Sequence, residues 1–190
     1  MKRAFPLLLI LLAGCTADGH FQFLGYSTAP NYDQSIRTVY VPIFENTTLR
    51  RGLEFQVTRA VIREIEAKTP YKVVDCLEKA DTELIGKIVG RRKSLINANQ
   101  VNEIREAEVM VNVEVTWRDL RPGHMGEVLS GGFRPDSRLA PNDPRNIPPP
   151  VLITPLATFI PELGGSLASA EAKLADHLGI QVVSMMEKWK

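Results

Sequence analysis

Residues 106–117 read EAEVMVNVEVTW, and this stretch decides the fold. Two sets of residues alternate along it, which is the period of a β-strand with two unlike faces. The first set is apolar: Val109, Val111, Val113, Val115 and Trp117. The second set is largely polar: Glu108, Met110, Asn112, Glu114 and Thr116. The pattern predicts a strand that buries the first set and leaves the other face largely polar. We interpret the other face as a candidate partner surface, made by Met110, Asn112, Glu114 and Thr116.

The segments on either side of this strand predict an α+β fold. β-Branched and apolar runs predict further strands at residues 36–44, 71–75, 82–92 and 127–133. Residues 94–103 are predicted to hold the tip of a hairpin or of a longer connection. Apolar residues at spacings of three and four predict helices at 49–68 and 161–189. We therefore expect two amphipathic helices packed on one face of a mixed, roughly four-stranded sheet.

Proline separates the last predicted strand from the second helix. Eight of the thirteen prolines fall in residues 134–161. Proline lacks the backbone N–H that a helix interior or a central strand needs. This composition predicts a long loop, partly polyproline-like, of a length that is usually functional or disordered.

The N-terminus has the pattern of a bacterial lipoprotein signal. Lys2 and Arg3 precede an apolar run over residues 5–13 that is too short to span a bilayer. The run ends in Leu-Ala-Gly-Cys at residues 12–15, which is a lipobox. We predict a signal peptide at 1–14, acylation of Cys15 as a membrane anchor, a tether at 15–34 and one domain at 35–190. Thr16 after the cysteine favours export to the outer membrane.

Composition limits the classes of function. The formal net charge is +1, which gives no support to a nucleic-acid binder. If Cys15 is acylated, Cys76 has no partner for a disulfide, and we expect it to pack as a small apolar residue. The sequence predicts no metal site, no cofactor and no catalytic constellation, so we expect a protein that is not an enzyme.

A basic run at Arg91, Arg92 and Lys93 is the candidate ligand site. Arginine and lysine bind phosphate well, so the run could present cations to the phosphates of a glycolipid. The alternative is structural, because charged side chains also protect the exposed edge of a sheet from pairing with another strand.

Several short motifs together resemble the LptE family of lipopolysaccharide-assembly lipoproteins. Besides the lipobox, they are Gly25-Tyr26, VYVPIF at 39–44, ENTT at 45–48, GLEF at 52–55, TRAV at 58–61 and ADTEL at 80–84. The resemblance implies two helices on one side of a mixed four-stranded sheet, a location on the periplasmic side of the outer membrane and no catalytic residues. It also implies a large outer-membrane β-barrel partner, LptD, and binding of lipopolysaccharide.

Other lipoprotein classes remain open at this stage. Curli-secretion lipoproteins and activators of penicillin-binding proteins also begin with a lipobox and a strand of similar pattern. They usually alternate strands with several helices, whereas residues 71–133 predict strands and turns only. A generic structural lipoprotein of the envelope is a further alternative.

Overall fold

The computed structural model describes residues 31–101, 103–130 and 148–187, together with two short strands near the N-terminus. The predicted signal peptide, Cys15 and most of the tether lie outside the described residues. The chain divides into two units, residues 1–31 and 32–190. In the first, β1 (Gln22–Phe23) pairs antiparallel with β2 (Tyr26–Ser27).

The second unit contains a mixed seven-stranded sheet. Its strands are β3 (Thr38–Tyr40), β4 (Glu45–Asn46), β5 (Lys72–Val74), β6 (Thr82–Ala98), β7 (Ile104–Asp119), β8 (Val151–Ile153) and β9 (Leu156–Phe159). The order β5-β3-β6-β7-β8 forms the main path, with β4 beside β6 and β9 beside β7. β3 runs parallel to β5 and β6, and β4 runs parallel to β6. β7 is antiparallel to β6, β8 and β9.

Two helices pack against the sheet, as predicted. They are α1 (Leu53–Lys68) and α2 (Leu167–Met185), and short 3₁₀ turns lie at Leu77–Lys79 and Pro161–Leu163. Fully buried apolar residues of both helices join the apolar set of β7 in one core. The α+β class is therefore confirmed, although the sheet has more strands than the four expected. Neither helix, nor any other in the described part of the chain, is long and apolar enough to cross a bilayer.

Gly179 lets the two helices approach closely. Glycine ordinarily destabilises a helix interior. A Cβ at Gly179 would lie 2.8 Å from Cγ of Glu64 and 3.0 Å from the carbonyl oxygen of Ala60. The absence of a side chain at Gly179 thus makes room for α1, and this close contact offsets the low helix propensity of glycine.

Three predicted segments differ in the structure. The tip of the central hairpin lies within the predicted 94–103, but residues 94–98 belong to β6, which ends at Ala98, and β7 begins at Ile104. The strand predicted at 127–133 is wrong over its described part, where Val128 makes only an isolated bridge to Arg118. The loop predicted at 134–161 is wrong at its end, because β8 and β9 form there and flank Pro155. Both strands are short and pair only with β7, which proline permits.

Candidate functional site

The predicted partner residues lie together on the face of the sheet that the helices leave open. Met110, Asn112, Glu114 and Thr116 are half-buried, while their neighbours Val109 to Val115 in the alternating apolar set are fully buried. On β6 they lie opposite Arg92, Gly90, Lys87 and Ile85. Strand alternation predicts this placement correctly. Their contact with a partner stays a prediction.

β8 and β9 add two leucines to this open face. Leu152 lies opposite Glu114, and Leu156 lies opposite Met110. The two leucines are 59% and 41% exposed, whereas Ile153 and Ala157 next to them point into the core. Sequence reasoning missed both leucines because the density of prolines indicated a loop. The alternation in residues 156–159, Leu-Ala-Thr-Phe, was the available signal.

Ion pairs hold part of the open face in place. The carboxylate of Glu83 accepts a hydrogen bond from Nε of Arg118 at 2.7 Å, between residues that lie opposite each other on β6 and β7. Nζ of Lys87 lies 3.2 Å from a carboxylate oxygen of Glu45 on β4. The Lys87–Glu45 pair is exposed and contributes at most about 1 kcal/mol. Glu83 is buried, so its carboxylate needs Arg118 as a partner.

The basic run does not form one cluster, because a β-bulge and the strand alternation divide it. The register passes from Ile88 opposite Val113 directly to Gly90 opposite Asn112, which leaves Val89 as the extra residue. Arg91 and Lys93 consequently lie opposite the core-facing Val111 and Val109, on the helix side. Arg92 lies opposite Met110 on the open face.

Arg91 is engaged in an ion pair with a buried carboxylate. Its Nη2 donates to Oε1 of Glu171 on α2 at 2.8 Å, and Nη2 of Arg50 donates to Oε2 of the same carboxylate at 3.1 Å. The side chain of Glu171 is only 2% exposed, while those of Arg91 and Arg50 are 19% and 50% exposed. A buried carboxylate must be paired, so Arg91 serves the packing of α2 on the sheet. Sequence reasoning did not single out Glu171, which stands among apolar positions of α2.

The other two cations of the run are exposed and differ in their surroundings. Nζ of Lys93 lies 5.6 Å from the centroid of the Phe159 ring, a cation–π distance. Arg92 has no hydrogen bond or ion pair among the described residues. Beyond Ile88, β6 pairs only with β7, so this part of the strand is an edge. The position of the charges therefore also fits the structural alternative, protection of an edge.

The ENTT motif builds the turn that carries Arg50. Oδ1 of Asn46 accepts hydrogen bonds from the backbone N–H and the hydroxyl of Thr48, at 2.9 and 2.7 Å. Nδ2 of Asn46 donates to the carbonyl oxygen of Arg50 and to the carboxylate of Glu54. Gly52 then adopts a left-handed φ of 91° and begins α1. The motif is thus an organised turn, which places Arg50 beside Glu171.

A second polar network closes the opposite end of the hairpin. The guanidinium of Arg121 donates to both carboxylate oxygens of Asp119, with the shortest contact at 2.6 Å, and to the Ser35 hydroxyl at 2.9 Å. Burial would raise the pKa of Asp119, but its hydrogen bonds with Arg121 outweigh burial and lower that pKa below 3.8. Burial raises the pKa of the nearby Tyr71 to about 12.

Cys76 is exposed, so the prediction that it packs as a buried apolar residue is wrong. It follows β5, an edge strand of only three residues, and this position leaves its side chain uncovered. Over the described ranges, no group of three or more His, Cys, Asp or Glu side chains is placed to hold a metal ion.

Several solved structures are similar to this chain. The structure of a hypothetical protein from Chlamydia trachomatis is similar at a TM-score of 0.51 and 7% identity, covering 78% of this chain and 94% of that one. Lipoprotein B from Nitrosomonas europaea gives 0.44 at 16% identity, with 78% and 80% covered. Rare lipoprotein B from Shewanella oneidensis gives 0.40 at 14% identity, with 78% and 95% covered. No curated protein sequence matches the chain.

The family comparison covers most of the domain. The family model for LptE, described as lipopolysaccharide-assembly, matches residues 36–173. This range runs from the start of the sheet into α2 and includes the ENTT turn, the central hairpin and Glu171. Because the match spans more than half of the 190 residues, the chain belongs to the LptE family of lipopolysaccharide-assembly lipoproteins.

Proposed function

We propose that this protein is an outer-membrane lipoprotein, anchored through Cys15 on the periplasmic side, that partners an LptD-like β-barrel in lipopolysaccharide transport. The observation that carries the proposal is the family match over residues 36–173. Family membership makes the protein part of the envelope machinery that assembles lipopolysaccharide. The proposal adds two points to the family match, namely an LptD-like barrel as the partner and the outer leaflet as the destination of lipopolysaccharide.

The anchor and the open sheet face have separate roles in this proposal. Acyl chains on Cys15 bury methylene groups at about 0.8 kcal/mol each and so concentrate the domain at the inner leaflet of the outer membrane. The open face, with Met110, Asn112, Glu114 and Thr116, contacts the barrel. Its polar and half-buried character supports this role, since the interior of such a barrel is polar.

Lipopolysaccharide is the second proposed ligand, and the exposed cations of β6 are its candidate contacts. We assign Arg92 and Lys93 to the phosphates of lipid A, and Arg91 to holding the strand against Glu171. A charge reversal of Arg92 and Lys93 should weaken glycolipid binding without unfolding the domain, whereas reversal of Arg91 should unfold or destabilise it. Unchanged glycolipid binding by the Arg92→Glu/Lys93→Glu variant would remove these residues from the site.

The partner is tested by affinity purification of the lipidated protein from detergent-solubilised outer membranes, followed by mass spectrometry. We expect stoichiometric recovery of one large β-barrel protein. A Cys15→Ser variant, which cannot be acylated, separates contact with the barrel from shared residence in the membrane. Recovery of a peptidoglycan synthase would instead indicate an activator of penicillin-binding proteins. Recovery of a ring of this chain alone would indicate a curli-secretion lipoprotein.

A further inference from the structure

We propose that the free backbone edge of β6, over residues 90–95, docks an extended strand of another protein that carries two consecutive acidic side chains. We call this stretch the open edge. The inference goes beyond the proposed function, because it assigns a role to main-chain groups that neither the barrel nor the glycolipid assignment uses. It shares with the glycolipid assignment only the cations of Arg92 and Lys93, and its test separates the two.

Pairing on one side of β6 stops where the open edge begins. β4 lies beside β6 only as far as Ile88, whose carbonyl oxygen accepts a hydrogen bond from the N–H of Thr47 at 3.0 Å. The bulge at Val89 follows, and over residues 90–98 the described part of the chain pairs with β6 only on the β7 side. A second register shift after Leu95 ends the regular stretch. The two bulges thus set both limits of the open edge.

Three residues of the open edge direct their backbone groups outward. The N–H of Val111 on β7 donates to the carbonyl oxygen of Pro155 at 3.3 Å, so the backbone of Val111 faces away from β6. Residues opposite each other in an antiparallel pair either bond to each other or both face outward. Arg91, which lies opposite Val111, therefore faces outward, and alternation adds Lys93 and Leu95. Each offers one N–H and one C=O, and none of these groups has a partner within the described ranges.

The charges on the open edge favour an acidic strand. Arg92 lies on the open face and Lys93 on the helix side, and both side chains are exposed. Next to them along β6, Lys87 is already paired with Glu45. Side chains of a docked strand alternate between the same two faces, so a strand with two consecutive acidic residues meets one cation on each face.

The other charged groups near the open edge do not reverse this preference. Arg91 and Arg50 share the single carboxylate of Glu171, which leaves a net positive charge at that site. Glu106 and Glu108 lie on β7, so β6 itself stands between them and a docked strand. The surroundings of the open edge are therefore basic on the side from which a strand would approach.

A strand of another protein fits the open edge better than a second copy of this chain or a lipid. Pairing two open edges brings the cations of both copies together, and charged edges are a common device against such self-pairing. A lipid phosphate binds cations but has no alternating N–H and C=O groups to offer the backbone. Only an extended polypeptide with acidic side chains satisfies both the main chain and the charges.

The test is binding of fluorescein-labelled strand peptides to the full, lipidated chain in detergent, measured by fluorescence anisotropy. The acidic probe is Thr-Val-Glu-Glu-Val-Thr-Val, and the same peptide with both glutamates replaced by glutamine is its uncharged match. Two further acidic peptides carry N-methyl groups on alternate residues, which blocks one edge of the peptide, or on every residue, which blocks both. The protein variant is Arg92→Gln/Lys93→Gln, and Arg59→Gln/Lys173→Gln on the exposed surfaces of the helices is the charge control.

We expect the acidic peptide to bind at least about tenfold more tightly than the glutamine peptide. Arg92→Gln/Lys93→Gln should remove that preference, and Arg59→Gln/Lys173→Gln should retain it. Methylation of one edge should weaken binding by no more than about threefold, whereas methylation of both edges should abolish it, because a docked strand needs free N–H groups.

Four results would overturn the open edge as a docking site for an acidic strand. They are no binding of the acidic peptide, equal binding of the glutamine peptide, dimerisation of the chain through this edge, and binding that survives methylation of every residue. The last result would show a simple anion site and would leave the glycolipid assignment intact. Recovery of the barrel is measured separately, so the docking site and the proposed function can fail independently.

Discussion

Val109 and Val111 lie on the helix-covered face of the sheet and are completely buried, whereas Met110 and Asn112, which alternate with them along β7, lie half-exposed on the other face. The covered face holds the common core of the strands and both helices. The open face holds exposed leucines, ion pairs and unpaired carboxylates. Every second residue of β7 therefore packs in the core, and the residues between them remain available for recognition. Mutations on the two faces of the sheet should separate these two roles.

Removal of a core side chain on the covered side should give the largest effect. Leu174 of α2 is fully buried, and Leu174→Ala should lower the free energy of unfolding by about 3 kcal/mol through lost burial and a cavity. Leu152→Ala on the open face is the matched control and should change stability by less than about 0.5 kcal/mol. Denaturant unfolding measures both, and equal losses would contradict the division between the faces.

Two adjacent arginines give the sharpest version of the comparison. Arg91→Met removes the closer partner of Glu171, which is buried, and should cost about 2 kcal/mol because Arg50 alone then pairs with that carboxylate. Arg92→Met on the open face should cost less than about 0.5 kcal/mol. Unfolding of both variants in parallel checks the difference. A loss from Arg92→Met as large as that from Arg91→Met would show that the bulge at Val89 does not set the two orientations.

Periodicity in the sequence predicts the parts of this fold that depend on local pattern. The alternation in residues 106–117 and the spacing of Val57, Val61 and Ile65 each contain enough repeats to define a strand and a helix. The pair of Glu64 and Lys68 follows from helical spacing alone, and the structure confirms it at 2.7 Å. β8 and β9 are different, because strands of three and four residues are stabilised by pairing with β7 rather than by their own sequence.

The candidate site was predicted only in part, because some of its features follow from local pattern and others depend on strand pairing and tertiary packing. Alternation alone separates Arg91 from Arg92, and applying it to residues 82–92 would have divided the basic run. The direction of each side chain additionally requires the bulge at Val89, which depends on pairing with β7. Glu171 could not be assigned to Arg91, since the two are 80 residues apart and meet only through tertiary packing.

Acidification should weaken the network at Asp119. Because the pKa of this carboxyl is lowered in the folded state, its contribution is complete above the ordinary value of 3.8 and is lost as the pH falls through the folded-state pKa. Asp119→Asn should cost about 1.5 kcal/mol at pH 7, and the difference from the wild type should shrink below about pH 4. Unfolding free energies between pH 2.5 and 7 test this, and a constant difference over that range would contradict the assignment.

Cys76 should give the smallest effect, because its exposed side chain packs against little. Cys76→Ser should change the free energy of unfolding by less than about 0.5 kcal/mol, as for other surface substitutions. The thiol should react with a maleimide in the native protein as completely as after denaturation, and a Cys15→Ser variant makes the count unambiguous. A thiol that reacts only after denaturation would mean that Cys76 is buried, and it would support the packing that the sequence suggested. The end of β5 would then be covered by another part of the chain.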